Sequence, residues 1–106
     1  MVVVPQSPEL LSPEQLRRQE VRRLSLGATI AALRRKRGLT QAQLADAVRV
    51  NKRGIIRVEQ GSTSLTVDVL CRMADALGVR TSELFRLVEL EEQQRSADTG
   101  DSEKPL

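Results

Sequence analysis

The stretch from Thr40 to Gly61, TQAQLADAVRVNKRGIIRVEQG, constrains the fold more than any other part of the chain, because it carries two helix starts in quick succession. At the first, Thr40 is placed to cap a helix and Gln43 stands three residues on, so that each side chain satisfies an orphan amide of the other. Leu44, Ala45 and Val48 then fall on one apolar stripe, and Val50 follows as a plug for the core. At the second start Asn51 is the cap. Ile55 and Val58 face inward at helical spacing, Lys52, Arg53 and Arg57 stay on the outer face, and Gly61 ends the helix. The pattern predicts two short helices joined by a tight turn, the second one basic. Its cations and the positive end of its dipole act in the same direction, which favours a polyanion over a neutral partner.

The charge of the whole chain is distributed to match. The 106 residues carry a net +3, but from Ser25 to Leu87 eleven Lys or Arg stand against five acids, a net +6. Residues 1–24 sum to +1 and residues 88–106 to −4, so the segment with apolar periodicity is the basic one and the acidic end is expected to stay solvated. An apolar fraction of 40% fills a modest core in one domain with tails, and with Phe85 the sole aromatic residue that core is aliphatic.

Residue usage also excludes function classes. With Cys71 the single cysteine and no His at all, the chain cannot build an intramolecular disulfide, the usual zinc constellations or a Ser-His or Cys-His nucleophile. No enzyme activity, metal or cofactor is therefore expected, and Cys71 reads as a small packing residue beside Leu70 and Ala74. The N-terminal MVVVPQSPEL lacks the basic leader and the apolar length of a signal peptide or membrane span. A cytoplasmic location with no membrane partner is the expectation.

Along the chain, Pro5 and Pro8 make residues 1–11 irregular. Ser12 as cap, Pro13 and Glu14 then start a helix over 12–24 that carries Leu16, Val21 and Leu24 and either runs into the next helix or packs as an appended arm. Five further helices are predicted: Ser25 to Arg37 closed by Gly38, Gln41 to Val48, Lys52 to Gln60, Val67 to Leu77 between a Thr66 cap and Gly78, and Ser82 to about Gln93 capped by Thr81. This divides the chain into an N-terminal arm (1–24), a helical domain (25–94) and a disordered tail (95–106).

From Leu26 to Phe85 the sequence resembles the lambda-repressor-like (Xre family) helix-turn-helix regulators. The resemblance rests on Arg34 late in the first helix, Thr40-Gln41, Leu44-Ala45, Ile55, Glu59-Gln60-Gly61 and Ala74-Asp75-Ala76-Leu77-Gly78-Val79, all in register. It implies an all-α fold, a compact five-helix lambda-repressor-like bundle containing the helix-turn-helix, and binding of double-stranded DNA with helix 52–60 in the major groove. By the same resemblance Lys52, Arg53 and Arg57 reach base edges, where Arg or Lys suits the two acceptors of guanine. Gln41 meets a phosphate from the first turn of its helix, with Thr40, Gln43, Arg49 and Gln60 as further phosphate contacts. Arg34 and Glu59 form an architectural ion pair between the first helix and the end of the recognition helix.

Three residues depart from the family pattern. Gly54 stands where Ser or Thr is frequent and weakens its helix by about 1 kcal/mol relative to Ala. Ile56 stands where a polar residue is frequent; as an exposed apolar side chain it meets a thymine methyl or another protein. Arg49 occupies a turn position that is commonly Gly, where a left-handed backbone costs about 1 to 2 kcal/mol. It implies a compensating phosphate contact or a different turn.

The leading expectation is a sequence-specific transcriptional regulator acting as a homodimer, since one recognition helix reads only a few base pairs. Leu84 and Val88 share the core-facing side of the last helix, which leaves Phe85, Leu87 and Leu90 as candidates for the dimer interface. The stretch GSTSLTVDVL is similar to controller proteins of restriction-modification operons, so a controller or antitoxin of a small operon is the narrower alternative. A protein-interaction module on a helix-turn-helix scaffold is the other, and Ile56 is its best argument.

Overall fold

The computed structural model describes residues 10–99, and the expectations for residues 1–9 and 100–106 lie outside them. Among the described residues there are five helices and no strand: α1 (Pro13–Lys36), α2 (Gln41–Val48), α3 (Lys52–Glu59), α4 (Val67–Leu77) and α5 (Thr81–Thr99). The all-α bundle with its helix-turn-helix is the expected one. Helix α1 starts as the sequence predicts, with Pro13 at its first position, and Ser12 and Gln15 close a full capping box. It then continues without a break through residues 24 and 25, so the N-terminal arm and the first helix of the bundle are one rod about 36 Å long at 1.5 Å per residue.

Gly27 sits inside this rod without ending it, and the reason is packing. A Cβ there would collide with the carbonyl oxygens of Val58 and Glu59, so the missing side chain is what lets the last turn of α3 lie against α1. Three residues earlier the backbone of Leu24 occupies the space next to Gly61, whose φ of +74° turns the chain out of α3. One face of α1 thus fixes where α3 ends.

Helix α5 runs past the expected end near Gln93 and reaches Thr99, which corrects the disordered tail at residues 95–99. The cause is α1, whose N-terminal extension gives α5 something to hold. Arg22 Nε donates to Glu92 Oε2 at 2.7 Å, and Arg95 Nη2 donates to the Leu24 carbonyl at 3.4 Å while its Nε lies 3.5 Å from Glu91 one turn back. The bonds to Glu92 and to the Leu24 carbonyl join residues 70 and 71 positions apart in sequence.

The core is aliphatic, as composition demands. Ile30, Leu44, Ala45, Val48, Ile55, Val58, Met73 and Leu77 form one buried cluster, with Val50 half-buried against it, and Leu70, Ala74 and Leu84 form a second between α4 and α5. Full burial of a side chain such as Leu44 or Ile55 contributes about 1.5 to 3 kcal/mol each. Cys71 is not among them. It lies exposed on α4 between the buried Leu70 and Met73, because the core-facing stripe of that helix is already filled by Leu70, Met73, Ala74 and Leu77.

Candidate nucleic-acid interface

The N-terminus of α2 is built by reciprocal capping. Gln43 N donates to Thr40 Oγ1 at 3.0 Å, and Thr40 N donates to Gln43 Oε1 at 2.9 Å. Both side chains are held at the surface, with the Gln43 amide nitrogen left for an outside acceptor. Helix α3 starts on Asn51, whose Oδ1 accepts from Gly54 N at 2.8 Å. Its inner face is closed by the buried Ile55 and Val58, so Lys52, Arg53 and Arg57 are all exposed. Gln60 is exposed at the C-cap of α3.

Between the two helices Arg49 adopts φ 68° and ψ 42°, the left-handed conformation that the turn position requires. It is the one non-glycine residue with positive φ among the described residues. The strain is held from two sides. The Arg49 amide donates to the Ala45 carbonyl at 2.9 Å, and Arg72 of α4 donates its Nε to the Val48 carbonyl at 2.8 Å. No local sequence pattern marks Arg72 as a cap for a carbonyl 24 residues away.

Arg34 and Glu59 are paired as the resemblance implies. Arg34 Nε donates to Glu59 Oε2 at 2.6 Å and Nη2 donates to Oε1 at 3.1 Å, with side chains only 11% and 7% exposed. Arg34 Nη1 also donates to the carbonyl of Leu39, the residue before the α2 cap, at 2.9 Å. Hydrogen bonding to Glu59 holds the guanidinium above its ordinary pKa range, against the opposing effect of burial. Removing one partner of so buried a pair leaves an uncompensated charge, at a cost of about 3 to 5 kcal/mol. Gln41 joins this network, donating its Nε2 to Glu59 Oε1 at 2.9 Å. The resemblance implies a phosphate contact for Gln41, and the inward bond is a feature of the fold that no local sequence pattern marks.

Two expectations change in detail. Ile56 is half-buried rather than exposed, which leaves it less apolar surface to offer. Phe85, Leu87 and Leu90 do not share one face: Phe85 lines a groove with Leu26, Leu65, Val67 and Leu70, whereas Leu87 and Leu90 line another with Ala28, Ala32 and Leu33. Leu84 and Val88 are buried between these flanks, as their spacing predicts.

No helix among the described residues is long and apolar enough to cross a membrane, and no group of His, Cys, Asp and Glu there is placed to hold a metal. The arrangement offers a short basic helix and an adjoining helix N-terminus, tied to each other through Glu59.

The chain is similar to known proteins in sequence and in fold. The competence pilus inhibition repressor of Acinetobacter baylyi is 32% identical over 66 residues, which make up 62% of this chain and 60% of that protein, so the chain spans about 60% of that relative's length. The restriction-modification controller protein C.AhdI of Aeromonas hydrophila superimposes with a TM-score of 0.58 at 27% identity, covering 59% of this chain and 96% of that one. The clp gene regulator ClgR of Corynebacterium glutamicum shares the fold over 74% of this chain and 83% of its own, with a TM-score of 0.71 at 24% identity. A family model for a helix-turn-helix domain matches residues 25–87, from the middle of α1 to α5. The chain belongs to the helix-turn-helix domain family.

Proposed function

We propose that the protein is a sequence-specific regulator of transcription that binds double-stranded DNA as a homodimer, with α3 in the major groove. The observation that carries this reading is the outer face of α3, where Lys52, Arg53 and Arg57 stand exposed over a fully buried Ile55. Long cations on a helix narrow enough for the groove are suited to guanine edges, and Ile56 at the margin is suited to a thymine methyl. Thr40, Gln41, Gln43, Arg49 and Gln60 are assigned to phosphates, which fix register without reading sequence. Dimerisation is assigned to the Phe85 flank of α5, where Phe85 is 49% exposed and Val67 72% exposed beside it.

The repressor and controller functions of the relatives favour a role in shutting down or timing a small set of genes. The test is a salt titration on duplex DNA. A dimer that meets about 6 to 8 phosphates gives a slope of log affinity against log salt of about −5 to −7. A slope near zero points instead to a protein-interaction module, and selection from random duplexes then identifies the operator or its absence.

A further inference from the structure

The hydrogen bond from Gln41 to Glu59 has a consequence for how the protein holds DNA, given that it binds DNA as proposed above. Gln41 is half-buried at the first position of α2, and its carboxamide has two faces that differ only in whether an oxygen or an NH2 group is presented. Left to itself, such a group flips. Glu59, with its side chain 7% exposed and held by two bonds from Arg34, is an acceptor with no proton to give. It can pair only with the Gln41 NH2, and it does so at 2.9 Å. One N–H of Gln41 is thereby fixed inward, and the orientation of the second follows from the plane of the amide. Phosphate is likewise an acceptor only, so the wrong flip would set oxygen against oxygen.

We infer that Glu59 is a positioning residue for phosphate capture: its carboxylate selects the flip of Gln41 that presents the remaining N–H to the DNA backbone. Glu59 then has two tasks. With Arg34 it braces α1 against α3, and on its own, through Gln41, it fixes a phosphate-binding group on α2 relative to the end of the reading helix.

The experiment uses the intact chain and a 30-base-pair duplex of mixed sequence, because a phosphate contact needs no cognate site. In the wild-type protein the two side-chain amide protons of Gln41 are followed by 15N NMR as duplex is added. The expected result is a large shift of one proton and little movement of the one bonded to Glu59; a Gln41 amide that duplex leaves unmoved overturns the inference even where binding itself is plain. Absence of any duplex binding by the wild type overturns the DNA-binding reading instead. Affinity variants supply the second arm, each measured at a temperature where circular dichroism shows it folded. Gln41→Ala and Glu59→Gln are each expected to lose about tenfold on the duplex, equal to about 1.4 kcal/mol, and the double variant no more than either alone. Arg34→Lys, which weakens the brace but keeps the Glu59 carboxylate beside Gln41, is expected to lose stability and retain affinity. Equal affinity losses for Arg34→Lys and Glu59→Gln, or additive losses in the double variant, reduce Glu59 to a brace.

Discussion

Arg72 Nε donates to the Val48 carbonyl at 2.8 Å, so a side chain of α4 caps the last turn of α2 next to the strained residue Arg49. The carbonyls of a final helical turn lack partners within the helix, and a guanidinium there also suits the negative end of the dipole. Arg72 thereby connects α4 to the turn that sets the angle between α2 and α3.

Replacing Arg72 by Met keeps an unbranched apolar chain out to the position of Nε and removes the donor. The expected loss is about 1 kcal/mol, the net value of one hydrogen bond at a partly accessible carbonyl. Urea unfolding of the two proteins measures it, and an unchanged midpoint means that water replaces the guanidinium at no cost.

Arg49 carries a different balance. Its left-handed backbone costs an L-residue about 1 to 2 kcal/mol, while Gly loses about 0.5 to 1 kcal/mol more backbone entropy on folding. Arg49→Gly is therefore expected to raise stability by up to about 1 kcal/mol. If Arg49 meets a phosphate as proposed, the same variant loses affinity for duplex DNA and its salt slope becomes shallower by about 1 per subunit. Denaturant midpoint and salt slope then move in opposite senses. A lower midpoint would falsify the strain argument.

The two flanks of α5 make the dimer testable by substitution. Phe85→Glu places a charge in the groove with Val67 and Leu65, and Leu90→Glu places one in the groove with Ala28 and Ala32. Sedimentation at micromolar concentration is expected to give a dimer for the wild type and for Leu90→Glu, and a monomer for Phe85→Glu. The reverse pattern moves the interface to the Leu90 flank.

What the sequence made legible, and what it did not, follows the range of the interactions. The caps at Thr40 and Asn51, the buried Leu44, Ile55 and Val58, and the exposed Lys52, Arg53 and Arg57 all depend on residues within two turns of one another, so periodicity and capping chemistry suffice to place them. The continuous α1 and the extended α5 depend on each other through Arg22–Glu92 and Arg95–Leu24, across some seventy residues, and neither helix announces this alone. The exposure of Cys71 is hidden from the sequence for a similar reason. Its neighbours Leu70 and Ala74 are apolar and buried, but only the packed arrangement decides which side of α4 has no room left. In the interface itself, the family pattern brought Arg34 to Glu59, while the bond from Gln41 to the same carboxylate appeared only with the fold.

Reading and positioning of DNA separate most clearly at Arg53. Its side chain is exposed on α3, away from the core formed by Leu44, Ile55 and Val58, so Arg53→Ala is expected to leave the unfolding midpoint within about 0.5 kcal/mol of wild type. Arg offers two parallel donors that match the O6 and N7 acceptors of guanine, and loss of such a pair costs about 1 to 3 kcal/mol at that base and no more than a general cationic contribution elsewhere. On a duplex obtained by selection, Arg53→Ala is therefore expected to bind about 5- to 150-fold more weakly and to accept substitution at one G·C pair, while binding to a scrambled duplex changes much less. Isotherms on both duplexes at one fixed salt concentration provide the comparison. Equal losses on the two would assign Arg53 to the phosphate backbone, leaving Lys52 and Arg57 as the base readers of α3.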